Sequence, residues 1–307
     1  MSVLSAPHFH NEKAAYAYVE ARVWPEGPVC PHCGCFGRIY DLKGKSTRIG
    51  VRKCGDCRKP FTVKVGTIFE ASHVPLRLWL QAMFLMASSK KGISSNQLHR
   101  TLGVTLKTAW FMSHRIREAM RSGELAPFGS DGGVVEVDET FIGIRKGATP
   151  KQGIGHKMKV LSLLERNTGA KRSMVLDDMK PATIAALVSA NVAHEAHLMT
   201  DQADHYVRVG KTFAAHESTN HSKGEYVRYS TPVIHTNTVE GSFSIFKRGM
   251  KGVYQHCQEK HLHRYLAEFD FRYSNRVALG FGDVARADTL LAGVVGKRLT
   301  YQTARGA

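Results

Sequence analysis

Four cysteines in two pairs constrain this 307-residue chain more than any other feature: Cys30-Pro-His-Cys33 and Cys54-Gly-Asp-Cys57, spaced C-x2-C-x20-C-x2-C. Each C-x2-C turn aims two thiolates at one point, and four sulfurs complete a tetrahedral zinc site. The segment between the pairs, GRIYDLKGKSTRIGVRKC, alternates in character around Gly/Lys turns, as a hairpin does. Residues 28–66 therefore read as a zinc ribbon in which Cys30, Cys33, Cys54 and Cys57 hold one Zn2+. Four thiolates leave the ion no open position, so its role is structural. Disulfides are the competing reading, and a cytoplasmic chain disfavours them. His32 and Cys35 are bystanders, and Cys257 is a lone thiol.

A formal net charge of +17 calls for a polyanionic partner, with DNA or RNA ahead of an anionic membrane surface. The charge is uneven: residues 1–125 carry a balance of +11 and the remainder +6, so the first part is the more obvious docking module. No apolar run approaches the ~20 residues of a spanning helix. The N-terminus lacks the basic-then-apolar order of a secretory signal, so a cytoplasmic protein is expected.

After the ribbon the periodicity turns helical. LRLWLQAMFLMAS (76–88) reads as one apolar helix, and ISSNQL opens a second with Ser/Asn caps. Gly103 punctuates the chain, and Thr105 caps TLKTAWFMSHRIREAMRS. A short helix, a tight turn and a basic helix form a helix-turn-helix pattern, an ordinary three-helix packing module being the plainer alternative. On the second helix Lys107, Thr108, His114, Arg115 and Arg117 are the candidate DNA contacts, while Ala109, Trp110, Met112 and Ile116 supply packing.

VVEVDETFIG (134–143) is an apolar strand with acids inside it. With period two, Glu136 and Asp138 share one face and Glu139 takes the other. Carboxylates in a β run must be desolvated, a cost of several kcal/mol unless something compensates, and a bound cation would do so. KVLSLLE (159–165), KRSMVL (171–176), a helix over 180–193 and HLMT (197–200) follow, the element order of an RNase H-like α/β domain. Asp201 ends that last strand, where a helix N-cap is its plainer role. In HTNTVEGSFSIFKR, helical spacing puts Asn237, Glu240, Ser244 and Lys247 on one stripe. Three carboxylates from two strands and a helix can surround a pair of Mg2+ or Mn2+ ions for displacement at phosphorus. Lys247 would reach towards the same phosphate.

VDETFIG, LMTDQADHY, NHSKGEYVR, HTNTVEGSFSIFKRGMKGVY and HLHRYLAEFDFRYSNR, placed after the CPHCG…CGDC ribbon, resemble a bacterial insertion-sequence DDE transposase of the zinc-ribbon, Merlin-related class. The likeness runs from about Pro28 to Arg276. It implies an RNase H-like core that cuts and rejoins double-stranded DNA (element ends and target) with two Mg2+ ions. It also implies a homo-oligomer in a synaptic complex. By the motif, the first acid is Asp138 and the second Asp201. Both Asn237 and Glu240 stand at the third position, and Glu240 is preferred as a charged hard ligand. Arg248 and Lys251 suit backbone contacts, and His221, Ser222, Lys223 and His235 stand near the expected DNA path. An RNase H-like nuclease or resolvase without strand transfer, and a zinc-ribbon regulator with an inactive core, are the competing functions. Asp138 is expected beside Asp201 and Glu240, with Glu139 turned away. The expected domains are a helical segment (1–27), the ribbon (28–66), the helix-turn-helix module (67–126), a linker (127–133), the catalytic domain (134–280) and a frayed tail (281–307) ending TARGA.

Overall fold

The computed structural model describes residues 2–123 and 126–300, so TARGA lies outside the described residues. In chain order the elements are α1 (Glu12–Val23), β1 (Ile39–Asp41), β2 (Arg52–Cys54), β3 (Pro60–Phe61), α2 (Leu76–Ser88), α3 (Ser95–Leu102), α4 (Leu106–Met120), β4 (Val134–Ile142), β5 (Met158–Glu165) and β6 (Lys171–Leu176). There follow α5 (Pro181–Asn191), β7 (His197–Asp201), α6 (Tyr206–Gly210), β8 (Ala215–Thr219), α7 (Asn237–Gly249), α8 (Glu259–Ser274) and α9 (Asp283–Ala292). The described residues of 1–89, 93–121 and 281–307 form one compact unit, and those of 90–92 and 122–280 the other. No described helix is long and apolar enough to cross a membrane.

The first unit joins a small antiparallel sheet, in the order β1-β2-β3, to a group of helices. Its apolar centre is α2, which buries Leu76, Trp79, Met83, Met86 and Ala87. The free N–H groups at the start of α2 are capped from outside: Glu12 of α1 accepts from Leu76 N at 2.6 Å and Arg77 N at 3.1 Å. Ser94 caps α3, Gly103 closes it in the left-handed conformation at φ 66°, and Thr105 caps α4. The helix–turn–helix pattern is thus present as local structure.

Two sequence expectations change here. The segment after residue 280 was expected to fray, yet α9 packs on α1 and α2 and buries Leu290, Leu291 and Val294. Asp288 of α9 receives Arg22 Nε at 2.6 Å, Arg22 Nη2 at 3.1 Å and the Tyr18 hydroxyl at 2.6 Å, a bidentate clasp onto α1. The second change concerns α4, where His114, Arg115 and Arg117, expected on the exposed face, are buried. Arg115 donates to the carbonyls of Ile68 (2.7 Å), Glu70 (2.7 Å) and Leu299 (3.0 Å), and its guanidinium lies 4.6 Å from the Phe111 ring centroid. Arg117 donates to Ser113 Oγ at 3.1 Å, and His114 packs on Trp110 with ring centroids 4.1 Å apart. Lys107 stays exposed and Thr108 half-buried.

The second unit is a five-stranded sheet in the order β6-β5-β4-β7-β8. β4, β5 and β6 are antiparallel neighbours, whereas β7 and β8 run parallel to β4, the mixed topology of an RNase H-like domain. β8 was not anticipated; AHEST is a half-buried edge strand with no apolar run to betray it. The register pairs Glu136 with Leu164 and Asp138 with Ser162, which fixes the two faces. Val135, Val137, Leu161 and Leu163 pack with Ile184 and Val188 of α5 and Tyr206 and Val209 of α6. On the other face Leu164 packs with Val239 and Phe243 of α7, and Ile142 and Val160 pack with Phe246 of α7 and Leu262 and Phe269 of α8. Gly129, before β4, takes φ 77°, and a Cβ there would stand 2.5 Å from Ala196 Cβ, so a side chain is excluded twice over.

If α9 is a wall of the first unit's core, Leu291→Ala should destabilise that unit by about 2–5 kcal/mol. Val295→Ala, at a residue 53% exposed, should stay within about 0.5 kcal/mol. Hydrogen exchange of α1 and α2 amides measures both.

Candidate active site and cysteine centre

The four cysteines of the ribbon come together. Their sulfurs all lie within 4.8 Å of one another, with Cys30 to Cys57 at 3.7 Å and Cys33 to Cys54 at 3.6 Å. A disulfide needs about 2.05 Å, while tetrahedral Zn–S bonds of about 2.3 Å put sulfurs about 3.8 Å apart. The arrangement fits zinc and excludes disulfides as drawn. The knuckles are tight turns: Gly34 adopts φ 77°, and Gly34 N donates to Cys30 O at 2.9 Å. Without a metal the cluster shares its charge unevenly: the backbone N–H groups of Cys57 and Asp56 pull the Cys54 thiol down to about 6, while burial and the neighbouring sulfurs push the Cys33 thiol up. Cys35 is half-buried beside this cluster and is not one of the four.

In the sheet unit, Asp138 stands in the middle of β4, Asp201 at the end of the neighbouring strand β7 and Glu240 in the first turn of α7. Burial, first, and then the charges of Glu139, Asp201 and Glu240 push Asp138 up to about 8. Asp201, the last residue of β7, is raised by burial and by Glu139, and its Oδ1 is buried without a hydrogen-bond partner. Glu240 enters from α7, with Oε1 accepting from Thr236 Oγ1 at 2.8 Å and 3.6 Å from His221 Nε2. Among the described residues the cysteines alone form a set of metal-binding type with all ligand atoms within 4.8 Å. Three carboxylates that share two ions about 3.5–4 Å apart do not need to close that tightly.

Glu136 sets where Glu240 sits. Fully buried, it accepts from Thr238 N at 3.0 Å and Val239 N at 2.9 Å, the free donors at the start of α7. This cap comes from β4, so the N-cap residue Thr236 caps nothing in its own helix and its hydroxyl orients Glu240 instead. Arg166 completes the clamp, donating to Glu136 Oε1 at 2.6 Å, Val233 O at 2.5 Å and His235 O at 2.7 Å. Burial and the Arg166 charge lower the His235 pKa, favouring a neutral ring whose Nδ1 accepts from Arg166 Nη2 at 2.9 Å. The 3.3 Å approach of His235 to Glu136 is then no ion pair.

Glu139 corrects the sequence expectation. It lies on the opposite face of β4, yet its charge bears on both Asp138 and Asp201. The segment that leads from β7 into α6 holds it there: the Tyr206 hydroxyl and His205 Nε2 (2.9 Å) both donate to Glu139 Oε1. That bond is the main reason the His205 pKa is raised. Sequence reasoning missed Glu139, His205, Tyr206 and Arg166; the run DQADHY after the strand was the available signal. Asn237 is exposed at the first position of α7, and Lys247 is half-buried two turns beyond Glu240. Arg248 folds back on Ser244, with Nε to the carbonyl at 3.0 Å, and Lys251 is exposed.

Two measurements follow from this geometry. The cysteine cluster should hold one Zn2+ per chain by metal analysis, and Cys54→Ser should lose the ion and unfold the ribbon. Between the ordinary carboxylate range and about 8, folded Asp138 keeps a proton that the unfolded chain releases. Stability of metal-free protein should therefore fall as pH rises through that window, by up to about 1.4 kcal/mol per pH unit for one proton. Asp138→Asn should remove that part of the slope in denaturant titrations.

Comparison with known families agrees with the architecture. Residues 131–274 match the ISXO2-like transposase domain, and residues 10–60 match the transposase zinc-ribbon domain. An uncharacterized protein in transposable element ISH50 of Halobacterium salinarum is 26% identical over 281 residues, 86% of this chain and 91% of that protein. A chain of the simian T-cell lymphotropic virus intasome, solved in complex with PP2A regulatory subunit B56 gamma, matches at 14% identity and a TM-score of 0.30, a level from which no likeness of fold is drawn. That match covers 56% of the present chain and 63% of the length of the intasome chain. With the ribbon and the mixed-sheet domain both matched, in that order along the chain, the protein belongs to the ISXO2-like DDE transposases that carry an N-terminal zinc ribbon.

Proposed function

We propose that the protein binds the terminal inverted repeats of its insertion sequence and catalyses Mg2+-dependent strand cleavage and strand transfer, with Asp138, Asp201 and Glu240 as metal ligands. The observation that carries this reading is the state of the acids. Asp138 is raised to about 8 among Glu139, Asp201 and Glu240, and Asp201 Oδ1 is buried without a hydrogen bond. Gathering carboxylates costs folding energy, and a hard divalent cation with oxygen ligands offsets that cost. Mg2+, when bound, activates the attacking oxygen and stabilises the leaving one at phosphorus.

The chain's own groups do the rest. Glu136 and Arg166 hold the start of α7, the turn that carries Glu240, and Thr236 orients the Glu240 carboxylate. Glu240 is the third ligand in this reading because its charge reaches Asp138, and Lys247 offers a point charge to the phosphate. In the first step water attacks the phosphodiester and the 3′-oxygen leaves as a hydroxyl. In the second that hydroxyl attacks target DNA and displaces a new 3′-oxygen, so no covalent enzyme intermediate forms. The ribbon and α3–α4 recognise the ends, with Lys107, Thr108 and the surface residues Arg248 and Lys251 as contacts. Two ends held together require more than one copy of the chain.

Asp138→Asn or Asp201→Asn should abolish cleavage of element-end duplexes with Mg2+ present while end binding persists in a gel-shift assay. Cleavage by either variant at the wild-type rate rejects the site. Cleavage without joined product from the wild-type chain makes it a nuclease rather than a transferase.

A further inference from the structure

The segment between β8 and α7 is unused by the reading above. It contains a small hairpin that holds aromatic side chains in water. Arg228 N donates to Ile234 O at 2.9 Å and Ile234 N to Arg228 O at 3.0 Å, which closes residues 228–234 into a loop. Both stems are anchored. Arg228 reaches Glu217 Oε2 at 3.0 Å, Ser218 O at 2.7 Å and Glu225 Oε1 at 2.9 Å, and Arg166 holds the carbonyls of Val233 and His235 on the far side. Ser230 Oγ donates to Pro232 O at 2.7 Å inside the loop.

On this anchored base Tyr229 is 88% exposed and Tyr226 is 55% exposed. A lone exposed aromatic is ordinary. These two are less so, because ordered backbone presents them and one is linked to the acids. Tyr226 stacks near His221 with ring centroids 5.0 Å apart, and His221 Nε2 lies 3.6 Å from Glu240 Oε1. The platform therefore begins one ring away from the candidate metal ligands. Aromatic faces on a fixed scaffold beside a site that handles DNA phosphates suit a base that has left its stack.

We propose that the 228–234 hairpin, with Tyr226 just before its first stem, is a stacking site for an unpaired nucleobase next to the scissile phosphate, with the Tyr229 ring as the principal surface. It rests on the cleavage reading above, which it deepens. Extruding a base costs unstacking energy, least at a mismatch, and an aromatic face recovers part of that cost.

The test uses the full chain and element-end duplexes with Mg2+. Tyr229→Ala should slow cleavage about tenfold or more, within the range of one base–aromatic stack, while Tyr229→Phe stays near wild type. A mismatch beside the cut should restore most of the Tyr229→Ala rate. Equal rates for wild type and Tyr229→Ala, an equal defect in Tyr229→Phe, or a defect that the mismatch leaves untouched would each overturn the proposal. If the wild-type chain cuts nothing, the assignment of the acids fails instead, and the hairpin is judged by metal-free binding alone. In that assay a 2-aminopurine beside the cut should change fluorescence on binding wild type and not on binding Tyr226→Ala/Tyr229→Ala, and identical signals overturn it.

Discussion

The capping of α7 by a carboxylate from another element is the contact on which the candidate active site depends. A helix start offers unbonded N–H groups and a partial positive charge. Here they are met by Glu136, one residue removed on the same face of β4 from Asp138. The strand that carries the first acid thus also fixes the helix that carries Glu240. Their separation is a matter of strand pleat and helix pitch rather than of loop conformation. Arg166 neutralises Glu136 and ties in the chain on either side of His235, so the capping charge is buried with its partner. Removing one member of such a pair costs on the order of 3–5 kcal/mol.

Around this anchor the sheet divides its labour by face. The side with Val135 and Val137 is an apolar core closed by α5 and α6, and it holds one acid, Glu139, through the Tyr206 hydroxyl and His205. The other side packs Leu164, Val160 and Ile142 under α7 and α8 and carries Glu136 and Asp138 among them; Ser162, the cross-strand partner of Asp138, bonds Ser173 Oγ at 2.7 Å. Asp270 of α8 then takes Ser173 Oγ and N, at 2.8 and 2.6 Å, and sits 3.3 Å from Lys171 Nζ. These polar groups are therefore bonded to one another, whereas Asp201 Oδ1 and, on the Asp138 face of β4, Thr140 Oγ1 are buried without a hydrogen-bond partner.

Legibility from sequence followed the range of the interactions. The cysteine knuckles, the caps at Ser94 and Thr105 and the strands around Asp138 and Asp201 depend on neighbours a few residues away, and spacing revealed them. The order of the motifs along the chain pointed to Asp138, Asp201 and Glu240, and the structure puts the first two on neighbouring strands and the third in the first turn of α7. Arg115 misled because a basic residue on a short amphipathic helix looks the same whether it meets phosphates or distant carbonyls. Its partners at Ile68, Glu70 and Leu299 leave no local mark. Glu139 misled because strand alternation assigns a face but not the partners met there, here the Tyr206 hydroxyl and His205 Nε2 from the segment after β7. β8 stayed hidden because an edge strand needs little apolar patterning.

The return of α9 to the N-terminal helices has a consequence for the order of synthesis. Residues 281–294 are made after the sheet domain, yet Leu290, Leu291 and Val294 complete a core begun by α1 and α2. The module that comes first in the chain is finished only after the whole sheet domain has been made. A chain stopped before residue 281 lacks Leu290, Leu291 and Val294 and leaves the apolar wall of α1 and α2 uncovered. Full translation and a complete first unit are coupled through the path of the backbone.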